Sequence, residues 1–193
     1  MPDIDMIEYS PLLDSSNMGP RDWGSLAEQV GLHYYDYDGF VIIHGTDTMA
    51  YTASALSFML EGLGKAVILT GSIIPMREPF NDARRNLIAS IMIASQVPVR
   101  LWRPQPVCRL RVHTDLEVNT VVVRLTPGFD DSAILAMIEH APKLKGLCLR
   151  GAVSLDTYEV GRRLLELGVV SAGDMTTEAA VTKISYLCGR GLQ

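Results

Sequence analysis

The chain has 193 residues, of which 48% are hydrophobic and 20% charged, as is typical of a globular protein with a substantial core. Its formal net charge of −5 argues against nucleic-acid binding, and no apolar run reaches the roughly 20 residues of a membrane-spanning helix. The N-terminus lacks the features of a signal peptide. Three widely spaced cysteines favour reduced thiols over a disulfide framework or a zinc site, so we expect a soluble cytoplasmic protein.

Helical and strand patterns alternate along the first half of the chain. Apolar residues at a spacing of three and four indicate helices, and short β-branched runs indicate buried strands. The predicted elements are a helix over 21–31, a strand over 40–44, a helix over 48–63, a strand over 66–70 and a helix that ends near 95. Asn81 or Asp82 is expected to cap the last helix. This order predicts an α/β fold with a doubly wound parallel sheet.

The second half repeats this alternation on a smaller scale. The predicted elements are a strand over 119–125, a helix over 132–140, a strand over 144–149 and helices over 158–167 and 175–187, the last capped by Asp174. Three prolines and four arginines lie over 97–113, where prolines oppose both helix interiors and central strands. Nucleic-acid binding by this basic stretch is the less favoured explanation in an acidic chain. We expect an N-terminal α/β domain over 1–96, an irregular linker over 97–116 and a smaller C-terminal α/β lobe over 117–193.

The most informative segment follows the strand predicted over 40–44. It consists of Gly45, Thr46, Asp47 and Thr48. Open α/β sheets bind ligands at the carboxyl ends of their strands, so these hydroxyls and this carboxylate could place a nucleophile or a water beside a charge. Taken alone, the segment is better explained as a helix N-cap, in which Asp47 or Thr48 accepts hydrogen bonds from free amides.

Five short segments, taken in order, carry more weight than any one of them. They are Asp-Ser-Ser-Asn-Met at 14–18, Gly-Thr-Asp-Thr-Met at 45–49, Ala-Val-Ile-Leu-Thr-Gly-Ser-Ile-Ile-Pro at 66–75, Asp-Ala-Arg-Arg-Asn-Leu at 82–87 and Gly-Asp-Met-Thr-Thr-Glu-Ala-Ala-Val-Thr-Lys at 173–183. Together they resemble the bacterial-type L-asparaginases, and most closely the cytoplasmic type I enzymes, which include the mammalian asparaginase/lysophospholipase form. The resemblance covers nearly all of 1–95 and 114–193.

The resemblance implies hydrolysis of L-asparagine to L-aspartate and ammonia by a threonine nucleophile, with no metal or organic cofactor. By matching positions, Ser15 and neighbouring amides would hold the α-carboxylate of the substrate, and Asp47 would pair with its α-ammonium or join the proton relay. Thr46 would supply a second hydroxyl, which makes Thr46 and Asp47 the candidate catalytic residues. The candidate substrate-binding residues are Asp14, Ser15, Ser16, Gly45, Thr46 and Asp47. The resemblance also implies a homo-oligomer, with no nucleic-acid or membrane partner.

Two of the neighbouring features have purely structural explanations. Asp14 and the two serines could form an Asx- or ST-turn ahead of the first helix, an explanation that weakens beside the Gly-Thr-Asp-Thr segment. His44 is predicted to be a packed or hydrogen-bonded core residue rather than a base.

Three family features are missing from the sequence. They are the Thr-Gly-Gly-Thr segment that carries the primary nucleophile, the Thr-Lys pair expected between 95 and 113, and the Gly-Ser-Gly-Asn loop after the strand over 144–149. Lys65 begins its strand, roughly 16 Å from the carboxyl edge of the sheet, and cannot replace the family's lysine. We therefore expect a shortened asparaginase-type chain that carries part of the site.

Other functions stay open at this point. The chain could be catalytically inactive, binding small amino acids or pairing with an intact subunit. It could also act as a glutamine-deamidating amidotransferase subunit, or share the phospholipid-ester activity of the mammalian homologue.

Overall fold

The structure, a computed structural model, describes residues 2–96, 109–117, 132, 136, 146–147 and 159–191. The strand predicted over 119–125 lies outside these residues. So do most of the helix predicted over 132–140 and most of the 97–116 stretch. Within the described ranges, no helix combines the length and the apolarity needed to cross a bilayer.

The first half folds as helices around a parallel strand pair. Its elements are a 3₁₀ turn Ser15–Asn17, α1 Pro20–Leu32, β1 Gly39–Ile43, α2 Met49–Met59, β2 Leu60–Glu61, β3 Ala66–Thr70 and α3 Ala83–Gln96. Strands β1 and β3 pair in parallel over five residues, from Gly39 opposite Ala66 to Ile43 opposite Thr70. The predicted α/β arrangement with parallel strands is confirmed here, with the first helix and both main strands within one residue of their predicted bounds.

The second half contributes shorter elements. They are β4 Arg111–Val112, β5 Gly146–Leu147, α4 Glu159–Glu166, β6 Val170–Ser171 and α5 Thr177–Gly189. β4 pairs antiparallel with β2, and β5 pairs in parallel with β6. The helix predicted over 158–167 is confirmed. Strand β4 falls inside the stretch predicted to be an irregular linker.

The main core lies between α1 and α2. One face of α1 buries Trp23, Leu26, Ala27 and Val30 at helical spacing, and α2 buries Ala55, Leu56 and Met59 against them. Burying one large apolar side chain contributes roughly 1.5–3 kcal/mol, so this interface is a main source of stability. Phe40 and Ile42 of β1 pack against the same cluster, which fixes the sheet under the two helices.

Two predicted helix boundaries were wrong. Helix α2 ends at Met59 instead of 63, because Leu60 and Glu61 pair with β4 and the Met59 carbonyl accepts a hydrogen bond from the amide of His113. Asp174 does not cap the last helix. Thr176 does so, since its hydroxyl accepts from the amide of Ala179 at 3.2 Å.

The C-terminal helix α5 packs back onto α2. The rings of Phe58 and Tyr186 stack with centroids 6.0 Å apart, and the amide of Glu117 donates to the carbonyl of Ser185 at 2.9 Å. Gly189 approaches the main chain of Asp115 so closely that a Cβ there would collide with it. The last helix of the predicted C-terminal lobe is therefore in direct contact with the N-terminal half.

Candidate active site

Two distant loops meet at the carboxyl end of β1. Ser15 is buried, at 7% exposure, and its Oγ donates a hydrogen bond to Oδ2 of Asp47 at 3.3 Å. Thr48 closes the same contact from the other side, because its Oγ1 donates to the main-chain oxygen of Ser15 at 2.6 Å. A hydroxyl, a carboxylate and a second hydroxyl from segments more than 30 residues apart are thus held in one place.

Gly45 is the residue that lets these loops approach. A Cβ at this position would overlap the side chain of Ser15, so any other residue would push the two segments apart. Ser15 therefore lies against both Gly45 and Asp47, two of the other predicted binding residues.

Asp14 and Ser16 shape the turn and leave the contact itself to Ser15. The Asp14 carboxylate accepts from the amide of Ser16 at 3.0 Å and from the side-chain amide of Asn17 at 3.2 Å. The first of these bonds is the main reason that the pKa of Asp14 lies below its ordinary value. These hydrogen bonds form the predicted Asx-turn, which presents Ser15 to the loop that contains Gly45 and Asp47. The side chains of Asp14 and Ser16 themselves are exposed.

The helix-cap explanation of the Gly-Thr-Asp-Thr segment was wrong. Thr48 occupies the N-cap position of α2, but its side chain makes no capping hydrogen bond and instead holds Ser15. The carboxylate of Asp47 likewise accepts from Ser15. Thr46 lies between Gly45 and Asp47 in the same loop, and its side chain is exposed. The segment is therefore organised around Ser15.

The buried side chain of His44 connects the loop that contains Gly45 to helix α2. Its Nδ1 bonds the Gly45 carbonyl, which can only accept, so Nδ1 carries a proton. Its Nε2 lies 2.9 Å from the hydroxyl of Thr52, which is fully buried in α2, and its main-chain amide donates to Thr70 of β3 at 2.7 Å. The prediction of a hydrogen-bonded core histidine is confirmed.

The loop that follows β3 lies across a cleft from the loop that contains Gly45. The carboxylate of Asp82 accepts from the amides of Ile73 and Ile74 at 3.0 and 2.9 Å, and these bonds hold the pKa of Asp82 below its ordinary value. Asn86 donates to the carbonyl of Gly71 at 2.9 Å. Because Asp82 is committed to the loop, it is Asn81 that accepts from the amide of Arg84 in the first turn of α3.

A cleft of about 260 Å³ lies between the two loops. Its lining is mainly apolar and includes Ile43, Gly45, Thr70, Gly71, Met76 and Leu87. Of these residues, only Gly45 belongs to the predicted site. One feature of the sequence could have indicated this loop. Gly71 and Ser72 follow β3 at the same edge of the sheet where Gly45 follows β1, and ligands bind at that edge in open α/β sheets.

Lys65 is fixed at the far end of β3. Its Nζ donates to the main-chain oxygens of Tyr34 and Tyr37, and it lies over the Tyr34 ring at 4.8 Å from the centroid. Lys65 therefore lies at the amino end of β3, as predicted, and its ammonium group is engaged there. Across the described ranges, histidine, cysteine and carboxylate side chains form no group of three that could hold a metal ion.

Comparisons with known proteins agree on one family. The family model "Asparaginase, N-terminal" matches residues 1–104. L-asparaginase 1 of Escherichia coli is 34% identical, with 100% of this chain and 80% of that protein covered. The human 60 kDa lysophospholipase is 31% identical over 96% of this chain, which corresponds to 46% of that protein. The chain therefore belongs to the asparaginase family.

The solved structures give the same result. The thermostable L-asparaginase from Thermococcus kodakarensis superposes with a TM-score of 0.77 at 30% identity, covering 92% of this chain and 78% of that one. The alignment with the E. coli enzyme runs over 272 residues, more than the 193 of this chain. That alignment therefore opens gaps in this chain, opposite segments that the relative carries.

Proposed function

We propose that the chain is an L-asparaginase-type amidohydrolase, which converts L-asparagine and water to L-aspartate and ammonia through a threonine-based site. Family membership supports the reaction class. The observation that carries the proposal is the hydrogen bond between Ser15 and Asp47, because it joins the two segments proposed to bind the substrate.

The contact suits a zwitterionic amino acid. Without substrate, the Ser15 hydroxyl is satisfied by the carboxylate of Asp47. When substrate binds, its α-ammonium would form an ion pair with the carboxylate of Asp47. The Ser15 hydroxyl and the adjacent turn amides would then be free to donate to the α-carboxylate. The single charge-assisted bond from Ser15 to Asp47 would thus be replaced by an ion pair at Asp47 and by further charge-assisted bonds to the α-carboxylate.

Thr46 is proposed as the reacting or orienting hydroxyl. It is exposed on the loop, one residue from Asp47, where a bound side-chain amide could reach it. A threonine hydroxyl is a weak nucleophile at its ordinary pKa and needs a neighbouring base. The Thr-Lys pair expected between 95 and 113 is absent from the sequence, which supports the view that Thr46 and Asp47 form only part of the family's site.

A catalytically inactive chain that binds small amino acids, or pairs with an intact subunit, is the second candidate. The position of Lys65 favours it, because this lysine is engaged at the opposite end of β3 from the site. A substrate-binding site that has no activated nucleophile binds its ligand but hydrolyses it slowly or not at all.

Ammonia release by the purified chain tests the first candidate. We expect release from L-asparagine that falls to background in Thr46→Ala and in Asp47→Ala, with Asp38→Ala as a carboxylate control, because Asp38 is exposed and lies at the opposite end of β1 from the site. Release that both site variants leave unchanged, or no release above background, would rule out hydrolysis at this site. Calorimetric titration with L-aspartate, sensitive to Asp47→Ala, would then support binding without turnover. Glutamine and a lysophospholipid, assayed in parallel, address the other two activities.

The finer organisation is also a proposal. Phe40 and Ile42 face α1 and α2, whereas Gly39 lies against Ala94 of α3, and this placement of helices on both faces supports a doubly wound sheet. We propose the division into domains over 1–96 and 117–193, joined by a linker over 97–116, with α5 packed back on α2. A cytoplasmic location and a homo-oligomeric state stay predictions from the sequence and its resemblance.

A further inference from the structure

The apolar cleft between the loops after β1 and β3 adjoins the proposed amino-acid site. Gly45 borders both, because Ser15 packs against it and the glycine also lines the cleft. Ala83 and Leu87, in the first two turns of α3, belong to the same lining. The proposed binding site and the cleft therefore share a residue, and the cleft extends from it to the start of α3.

The side chain of a bound asparagine is long enough to reach the cleft. Strands β1 and β3 pair up to their carboxyl ends, where the amide of His44 donates to the main-chain oxygen of Thr70 at 2.7 Å. Gly71 follows so closely that a Cβ on it would collide with the main-chain oxygen of His44, so the strand ends are one strand spacing apart, about 4.8 Å. In asparagine, three bonds join Cα to the amide nitrogen and span about 4 Å. With its α groups held by Ser15 and Asp47 beside β1, a substrate whose side chain points to β3 would place its amide nitrogen near Gly71.

The cleft is larger and more apolar than the release of ammonia requires. Its volume is about 260 Å³, whereas a molecule the size of water or ammonia occupies roughly 30 Å³. Ile43 and Met76 in its lining are 66% and 48% exposed, so apolar surface is available for contact with a ligand. A short hydrocarbon chain suits such a space, because burial of its methylenes stabilises the complex.

The wall formed by the loop after β3 is held in place without a ligand. Asn86 of α3 donates to the carbonyl of Gly71 at 2.9 Å. Asp82 accepts from the amides of Ile73 and Ile74 at 3.0 and 2.9 Å. A group that enters the cleft therefore meets a wall that is already ordered, and its binding is not offset by the cost of ordering that loop.

We propose that the cleft is a subsite for an apolar substituent on the side-chain amide, so that the substrate class includes L-asparagine whose amide nitrogen carries a short alkyl chain. The inference rests on the proposed function, because Ser15 and Asp47 must hold the α-carboxylate and the α-ammonium of the ligand. Hydrolysis breaks the bond between the carbonyl carbon and the substituted nitrogen. Water supplies one oxygen of the new carboxylate, and both of its protons leave on the alkylammonium product.

Calorimetric titration of the full chain with two ketones tests the subsite independently of turnover. The probes are the methyl ketone and the pentyl ketone analogues of L-asparagine, in which a carbon atom replaces the amide nitrogen so that neither can be hydrolysed. The pentyl ketone carries four more methylenes, and half burial of these should tighten its binding by about tenfold or more. Equal affinities of the two ketones, with L-aspartate still bound, would overturn the subsite and leave the amino-acid site standing. If neither the ketones nor L-aspartate bind, the proposed amino-acid site and the subsite both fail.

A matched pair of leucine variants locates the alkyl chain. Ala83→Leu fills the cleft from the first turn of α3, and Ala89→Leu is the control, because Ala89 is exposed on the same helix and lies outside the cleft lining. We expect Ala83→Leu to remove the advantage of the pentyl ketone and to leave methyl ketone binding unchanged, whereas Ala89→Leu retains both. Asp47→Ala should abolish binding of both ketones. An advantage that survives Ala83→Leu, or that Ala89→Leu also removes, would contradict the placement of the chain in the cleft. The comparison of the two ketones on the parent chain does not depend on whether either variant folds.

Discussion

Thr48 fixes the position of Ser15 through its hydroxyl, which donates to the main-chain oxygen of Ser15 at 2.6 Å. The side chain of Ser15 is thereby directed at Asp47, 3.3 Å away. The geometry of the proposed binding site therefore depends on a residue that makes no proposed contact with substrate.

Replacing Thr48 by valine should weaken L-aspartate binding without unfolding the protein. The exchange keeps the shape of the side chain but leaves the carbonyl of Ser15 without its partner, at a cost of roughly 1–3 kcal/mol. Thr48→Ser retains the hydroxyl and should restore binding. Denaturant unfolding and calorimetric titration measure the two effects, and valine and serine variants that bind equally well would show that the bond has no positioning role.

Gly45→Ala should be far more harmful than an alanine at a glycine that has free space beside it. The new methyl group collides with the side chain of Ser15, and overpacking of this kind costs typically about 1–3 kcal/mol. Gly19→Ala is the matched control, because a Cβ at Gly19 meets nothing within 4 Å. We expect Gly45→Ala to lower the midpoint of denaturant unfolding and to abolish L-aspartate binding, while Gly19→Ala changes neither. Similar midpoints for the two variants would contradict the close approach of Gly45 to Ser15.

The pH dependence of stability should depend in part on Asp82. Hydrogen bonds from the amides of Ile73 and Ile74 favour its charged form, so its pKa in the folded chain lies below its unfolded value near 3.8. A depressed pKa contributes stability that is fully present above the unfolded value and is lost as the pH falls through the folded value. Asp82→Asn should therefore be less stable than the parent at neutral pH.

Unfolding of both proteins measured from pH 7 down to acid checks this sign. The difference between parent and Asp82→Asn should shrink as the pH falls below about 4, because the parent then loses the same contribution. Asp174→Asn, at an exposed position, is the control and should track the parent throughout. A difference that stays constant with pH would show that the charge of Asp82 does not hold the loop.

The main strands could be predicted from the sequence because their signal is local. The apolar runs of β1 and β3 are continuous and β-branched, and Gly45 and Gly71 follow them within two residues, so their ends are marked. Strands β2 and β4 have two residues each and show no period. They exist because Glu61 and Arg111, 50 positions apart, pair across the fold.

The residues of the proposed site could be named from the sequence, but the contacts between them could not. The five matching segments identified Ser15 and Asp47, whereas the bond between them depends on how a turn packs on a distant loop. The choice between neighbouring caps failed for a related reason. Asp174 and Thr176 are both good N-cap residues, and only the backbone path decides that Thr176 sits where its hydroxyl can reach the amide of Ala179.

Lys65→Met should reduce stability and leave the proposed site intact. The ammonium group holds the main-chain oxygens of Tyr34 and Tyr37, which join the end of α1 to the start of the sheet, and methionine keeps the length of the side chain without these bonds. Hydrogen bonds to charged groups contribute roughly 1.5–3 kcal/mol each, so the unfolding midpoint should fall clearly. L-aspartate binding and ammonia release should keep the parent's values, because Lys65 lies at the opposite end of β3 from Gly71. An equal stability with lost ammonia release would instead make Lys65 a functional residue and contradict its assignment as a structural one.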